Sequence, residues 1–482
     1  MTVVIKIKRA FPYILALLIT ALFLFLRFYK IQESLLFFND IGRDYLVLWK
    51  WQQTGKPPLL GPQTSALPFN QSAIYFYALY PFYLLTGGSE YATLLACALF
   101  YVLSFLLGLY LLRYKPQWRN SLLLTFFLIA IQPQYIIQGR FIWNPSFVTP
   151  FVVAAVYLFL ALIDQFKQNK HLDQKLAWLL AFCLTIATSL SYSAAPTLMA
   201  FLLVSLLVFR WQALGLLVKI IIAGALVNLG TIAFEFRHGF LLTKMMFNRQ
   251  RLPQETNWLN KLQALNDFSL ASLSNLFWPL LLVFVLILAI IIWQKKFKLE
   301  LKLSLSLFLL TLIITLVAPI GMQAHYIFGI LPLIFMLLSF LLLANQLTIL
   351  IFLIITLSWL RPEQTKSYFA PAYRSVVESN QCARNFCQSH QEPLFVAVQS
   401  DRHPYHNGME WQYLVAKNGC QLKDLTTETD QADHLAVFVD DSNYEHGSTA
   451  FNELTIFGNS QEIEVFECSE QLQIHYLEKI SD

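Results

Sequence analysis

The stretch Asn39-Asp40-Ile41-Gly42-Arg43-Asp44 follows a long apolar run, Phe11 to Phe28. Two carboxylates and a guanidinium fall within five residues of a chain that otherwise uses charge sparingly. Each such group inside hydrocarbon costs about 2.5–3.5 kcal/mol on insertion scales. The knot is therefore expected at a membrane–water boundary, where ionisable groups act on something delivered by the lipid phase.

The composition supports a membrane setting. The 482 residues are 57% hydrophobic and 13% charged, about half the charged fraction of a soluble domain. The 41 Phe suit lipid-facing helices and interfacial belts. The net charge of +5 is gathered in short connectors rather than in a basic stripe, which speaks against nucleic acid as a partner. The run over 11–28 is longer than a signal-peptide core and lacks a small-residue cleavage site, so it reads as a retained span.

Apolar runs fit for about 30 Å of hydrocarbon fall near 11–28, 90–112, 120–136, 146–164, 176–193, 194–209, 212–234, 275–293, 303–319, 326–343 and 347–360. The Ser72–Thr86 segment is apolar but short, rich in Tyr and Phe, and interrupted by Pro81. The basic connectors are Lys6/Lys8/Arg9, Arg113/Lys115/Arg119, Lys167/Lys170/Lys175, Arg210/Lys219 and Lys295/Lys296/Lys298/Lys302. All fall on one side only if Ser72–Thr86 is interfacial or re-entrant, and that side is then the cytoplasm. The expected fold is thus an α-helical polytopic membrane protein with about eleven transmembrane helices and interfacial helices in the first outer loop. A cell-membrane location, a cytoplasmic N-terminus and an extracytoplasmic tail follow.

This topology gives a transmembrane catalytic domain over 1–360, with outer loops at 29–88 and 235–274, and a soluble domain over 361–482. In the first loop an amphipathic helix is expected from about Ile41 to Gln53, ended by Gly55 and Pro57-Pro58 and lying on the membrane plane. In the tail, Leu394–Gln399, Leu435–Asp440 and Glu462–Glu467 read as short strands between turns, a small α/β domain. Cys97 and Cys183 read as small core residues, whereas Cys382, Cys387, Cys420 and Cys468 permit two disulfides in any of three pairings. Zinc is the weaker reading, since no Cys-x-x-Cys occurs.

Asp40 and Asp44 stand one helical turn apart with Arg43 between them; the plain alternative is an N-terminal cap with a surface ion pair. Arg140, in Gln138-Gly139-Arg140-Phe141-Ile142-Trp143-Asn144-Pro145, is suited to a phosphate, while Asn144 is explained as a cap before Pro145. Glu235-Phe236-Arg237-His238 opens a basic rim able to hold an anionic headgroup. His325-Tyr326 stands at the start of a late span, and Ser191-Tyr192-Ser193 at a span end. No Walker loop, dinucleotide fingerprint or nucleophile elbow occurs, so ATP-driven transport by this chain alone is not expected.

These residues, in this order, together with Gly61-Pro62, the aromatic Ser72–Tyr83 segment and Leu331-Pro332, resemble the GT-C superfamily of polyprenyl-phosphate-sugar glycosyltransferases. Bacterial and archaeal members of the protein-mannosyltransferase and aminoarabinose-transferase clan are the nearest, over roughly 10–360. The resemblance implies that Asp40 is the catalytic loop carboxylate, a general base on an acceptor hydroxyl, supported by Arg43 and Asp44. It implies an inverting displacement with lipid phosphate as leaving group, and donor-phosphate contacts from Arg140, Arg237, His238, His325 and Tyr326. The implied partners are a polyprenyl-phosphate sugar donor, a lipid, glycan or protein acceptor, and membrane lipids. Many members carry an acidic pair where this chain has Asn39-Asp40, and Arg-Tyr where it has His325-Tyr326. No metal ligand is assigned, and a divalent metal is left as an open cofactor. The rival classes are a transporter or flippase of lipid-linked saccharides, expected to show internal repeats and polar groups at the membrane midplane, and an inactive relative acting as a binding protein.

Overall fold

The structure is a computed structural model that describes residues 2–64, 70–247, 258–261, 263, 299–318, 324–342, 356, 359, 366–400, 407–441, 444, 448–449, 452–469 and 472–480. Two compact units divide the chain. One comprises Met1–Tyr29, Pro58–Leu79 and Leu94–Tyr368; the other comprises Lys30–Pro57, Tyr80–Thr93 and Phe369–Asp482.

The first unit is helical. Five stretches are long and apolar enough to cross a membrane: Phe11–Phe28, Ala92–Leu111, Asn144–Asn169, Tyr192–Val227 and Leu299–Val317. Ile74–Leu85, Gln174–Leu190 and Leu331–Leu342 are shorter apolar helices. The chain is therefore a multi-pass membrane protein, although the expected count of eleven is not reached among the described residues. The run at 275–293 lies outside them, as does nearly all of 347–360. The run at 120–136 divides into two helices, Arg119–Ile131 and Pro133–Gln138, because Pro133 cannot continue the first. Ile74–Leu85, the helix in the aromatic segment, has 12 residues. At 1.5 Å per residue it rises about 18 Å, too little to cross a bilayer.

The helix Val148–Asn169 is buried from Val148 to Ile163 at every residue except Phe151, so it occupies the middle of this unit. Near its far end, Asp164 is 2.9 Å from Lys115, which also meets Glu300 at 3.1 Å, so one ammonium ties together three helix ends. Two short antiparallel strands, β1 (Leu60–Gln63) and β2 (Asn70–Ser72), complete the unit.

The second unit is built on a five-stranded mixed sheet. Its strands are β3 (Pro393–Gln399), β4 (Gln421–Leu422), β5 (His434–Val439), β6 (Ser460–Ser469) and β7 (Leu472–Lys479), in the order β4-β3-β5-β7-β6. β3 pairs in parallel with β4 and β5, and β7 runs antiparallel to β5 and β6. Leu394–Val398 and Leu435–Val439 are buried without alternation, as expected of strands covered on both faces. The three strands read from the sequence are β3, β5 and the middle of β6. Disulfides join Cys382 to Cys468 and Cys387 to Cys420; Cys97 and Cys183 are free.

The helix of the first loop runs from Asn39 to Thr54 and ends at Gly55, whose φ of +68° is the left-handed cap glycine adopts without strain. One expectation is corrected here. The apolar face that was assigned to the membrane plane is buried in protein: Tyr45 and Leu48 are fully enclosed, and the Tyr45 ring lies 5.2 Å from Tyr413 and 5.9 Å from Tyr83. Helical periodicity shows that a face is covered but not what covers it.

Candidate active site

Phe38 is extended, and its carbonyl accepts the Ile41 N–H (2.9 Å) and the Gly42 N–H (3.4 Å), which starts the helix and puts Asp40 in its first turn. A carboxylate there is favoured by the positive end of the helix dipole. Arg43 Nη1 donates to Asp40 Oδ1 at 2.8 Å, while Nη2 and Nε both donate to Asp44 Oδ1 at 2.8 and 3.0 Å. The Asp44 side chain is wholly buried, that of Arg43 is 28% exposed and that of Asp40 39%. The three residues read as a cluster therefore are one, with graded access. The buried Asp44 anchors the guanidinium through Nε and Nη2, and Asp40, bonded to Nη1, is the more exposed carboxylate.

Gly42 supplies the floor. A Cβ on it would stand 2.2 Å from both Cα and N of Glu410, so the loop helix and the tail helix Met409–Lys417 touch backbone to backbone at this point. The Asn407 N–H donates to Asn39 Oδ1 at 3.4 Å. Below, Phe37, Tyr45, Tyr83 and Tyr413 form an aromatic bed. Burial pushes the Tyr413 phenol far up, and Tyr83, Tyr45 and Glu90 push it further, so it remains a neutral donor to the Gly88 carbonyl.

The other expected site residues lie in the membrane unit. Arg140 is buried, and its Nη1 donates to the carbonyls of Leu26 (3.3 Å) and Arg27 (3.1 Å), the end of the first helix. Arg27, which sequence reasoning passed over, is buried too, and donates to the carbonyls of Ala130 (2.5 Å), Ile129 (2.9 Å) and Tyr135 (3.1 Å). Each arginine thus occupies a helix C-terminus, where unpaired carbonyls and the dipole both favour a cation. A charge inside an apolar run was the available signal for Arg27. Asn144, expected to cap its own helix, instead donates to the Leu190 carbonyl at 2.7 Å, at the end of Gln174–Leu190.

Arg237 and His238 are exposed at the end of Leu229–Arg237, with His238 stacked on Phe234 at 4.0 Å. Glu235 is turned inward, and its carboxylate accepts the N–H groups of Leu242 (2.8 Å) and Thr243 (3.0 Å) at the start of Leu241–Phe247. His325 and Tyr326 share a 3-10 turn, Ala324–Gly329, with Tyr326 half-buried. Ser191 and Ser193 share a hydrogen bond of 2.8 Å, and the Tyr192 hydroxyl donates to the Asn70 carbonyl at 3.1 Å. Among the described residues no group of three or more His, Cys, Asp or Glu is arranged to hold a metal ion.

A multi-pass helical membrane protein joined to a small disulfide-bonded α/β unit, with an Asp–Arg–Asp cluster on the helix Asn39–Thr54, is the class that the fold defines. No family model matches the chain, and no curated protein matches it in sequence. Among solved structures it is similar to ArnT from Cupriavidus metallidurans bound to undecaprenyl phosphate, with a TM-score of 0.64, 10% identity, and coverage of 96% of this chain and 97% of that one. The apo state of the same ArnT gives a TM-score of 0.61 at 10% identity over the same shares. At this identity the likeness is one of fold.

Proposed function

We propose that this protein is a membrane glycosyltransferase that takes a sugar from a polyprenyl-phosphate donor, with Asp40 as general base. The observation that carries this reading is the graded Asp44–Arg43–Asp40 relay in a chain with the fold of ArnT, whose crystal structure contains undecaprenyl phosphate. In the proposed reaction an acceptor hydroxyl gives its proton to an Asp40 carboxylate oxygen as its own oxygen bonds to the anomeric carbon. The bond from that carbon to the phosphate oxygen breaks, polyprenyl phosphate departs with the electron pair, and the anomeric centre inverts. Arg43 aims Asp40 through a charge-assisted hydrogen bond of 2.8 Å. Arg237 and His238, exposed and basic, are the proposed contacts for the phosphate as its charge develops, with Arg140, His325 and Tyr326 as further candidates. The reaction belongs to the outer face of the cell membrane, where the basic connectors place the first loop and the tail.

The test is transfer by the purified full chain in nanodiscs, given radiolabelled polyprenyl-phosphate sugars and membrane acceptors, beside Asp40→Asn. Loss of a general base costs about 10²–10⁴ in rate. Transfer by the wild type alone supports the reading. Equal transfer by both removes Asp40 from the role, and movement of intact lipid-linked sugar across the bilayer without transfer moves the protein to the transporter class.

A further inference from the structure

The tail domain holds a buried ionic triad that the proposed reaction does not use. Arg374 places Nη2 3.2 Å from Glu410 Oε1 and Nη1 3.2 Å from Asp440 Oδ2; the three side chains are 7%, 0% and 4% exposed. The guanidinium also lies 4.3 Å from the Trp411 ring. Desolvating three charges offsets most of what their attraction contributes, so such a triad is a poor device for stability alone. It is a good device for holding one backbone in one place.

The backbone it holds is the seat of the loop helix. Glu410 lies in the first turn of Met409–Lys417, directly beneath Gly42, where there is no room for a single methyl group. Asp440 follows β5 and its N–H donates to the Gln399 carbonyl at the end of β3 (3.1 Å), so the triad ties the seat to the middle of the sheet. Three residues on, the Tyr413 ring supports Tyr45 at 5.2 Å. Asp40 stands two residues before Gly42 and takes its direction from this helix.

We infer that Glu410, fixed by Arg374, is a positioning residue for Asp40, so that the tail domain forms part of the catalytic apparatus. The inference rests on the proposed role of Asp40, and its geometric half is tested without activity. Hydrogen exchange is followed on the full chain in nanodiscs for wild type, Glu410→Gln and Arg374→Lys. Transfer kinetics are measured on the same proteins. Glu410→Gln keeps the shape of the side chain and removes its charge; Arg374→Lys keeps the charge and removes the fork.

The expected result is exchange at Ile41–Asp44 at least tenfold faster in Glu410→Gln, with β3 and β5 protected as before. Turnover falls at least tenfold while KM for the donor stays within twofold, and Arg374→Lys lies between the two. Unchanged exchange at Ile41–Asp44 in Glu410→Gln overturns the inference. Equal loosening of the helix and the strands overturns it too, because Glu410 is then a plain structural residue. A wild type that transfers no sugar defeats the reading of function, and the exchange data still decide whether Glu410 holds the helix.

Discussion

Arg43 grips Asp44 with two nitrogen atoms, at 2.8 and 3.0 Å, and reaches Asp40 with a third. The two carboxylates are therefore not equivalent. Asp44→Asn leaves a shielded guanidinium facing an amide and is expected to destabilise the protein by about 1–3 kcal/mol, as loss of a buried partner does. Asp40→Asn changes a more open group and leaves the fold intact. Melting and transfer on the same two preparations separate them: Asp44→Asn lowers the melting midpoint, whereas Asp40→Asn removes activity at an unchanged midpoint. A lowered midpoint for Asp40→Asn as well would make the whole cluster structural.

Arg27 and Arg140 present the opposite case, charge hidden in the helical unit and bonded to carbonyls. Removing Arg27 orphans the Ala130 and Ile129 carbonyls, whereas that of Tyr135 still accepts the Gly139 N–H, so Arg27→Met is expected to cost about 2–4 kcal/mol. Arg140→Met is expected to cost less, since its Nη1 serves two longer bonds. The measurement that matters for Arg140 is binding of polyprenyl phosphate by the folded fraction. Affinity within twofold of wild type assigns Arg140 to capping alone, and a tenfold loss or more assigns it to the phosphate.

The tail disulfides close sequence separations of 86 and 33 residues. A cross-link over such loops contributes about 3–5 kcal/mol by constraining the unfolded chain. The Cys387–Cys420 loop is nested inside the other, so their contributions overlap rather than add. Replacing Cys382 and Cys468 by Ser is expected to lower the melting midpoint of the tail, and incubation with a thiol reductant to do the same in wild type. Insensitivity to reductant would place the stability of this domain in its apolar core.

The sequence is most legible where physics is local. β3 and β5 were readable because an apolar run buried on two faces needs no partner to declare itself. The Asp40–Arg43–Asp44 cluster was readable because its members are one turn apart. Gly42 was not: a glycine in the first turn of a helix reads as a weak point, and its use, the close approach of Glu410, involves a residue 368 positions away. Arg374, Glu410 and Asp440 were invisible for the same reason, as each is an ordinary polar residue until the sheet brings it to the others. The full count of spans is not settled among the described residues, since the runs at 275–293 and most of 347–360 lie outside them; the turn at Arg210 between Ala195–Phe209 and Ala213–Val227 falls where the sequence separates its runs 194–209 and 212–234.

Acid is expected to loosen the tail through Glu392. Burial works against its charge. The hydrogen bond from the Tyr476 hydroxyl, its own N–H, and the nearby His390 and His434 outweigh burial and hold its pKa below the ordinary 4.5. A carboxylate whose folded pKa is depressed binds fewer protons folded than unfolded. Its stabilising contribution is therefore complete above about pH 4.5 and is lost as pH falls through the folded value. Melting midpoints followed from pH 7 downward should fall in that window, and Glu392→Gln should flatten the fall while lowering the neutral-pH midpoint. A variant as acid-sensitive as wild type would shift the effect to other depressed carboxylates, of which Asp424, held down by the Thr426 hydroxyl, is the next to replace.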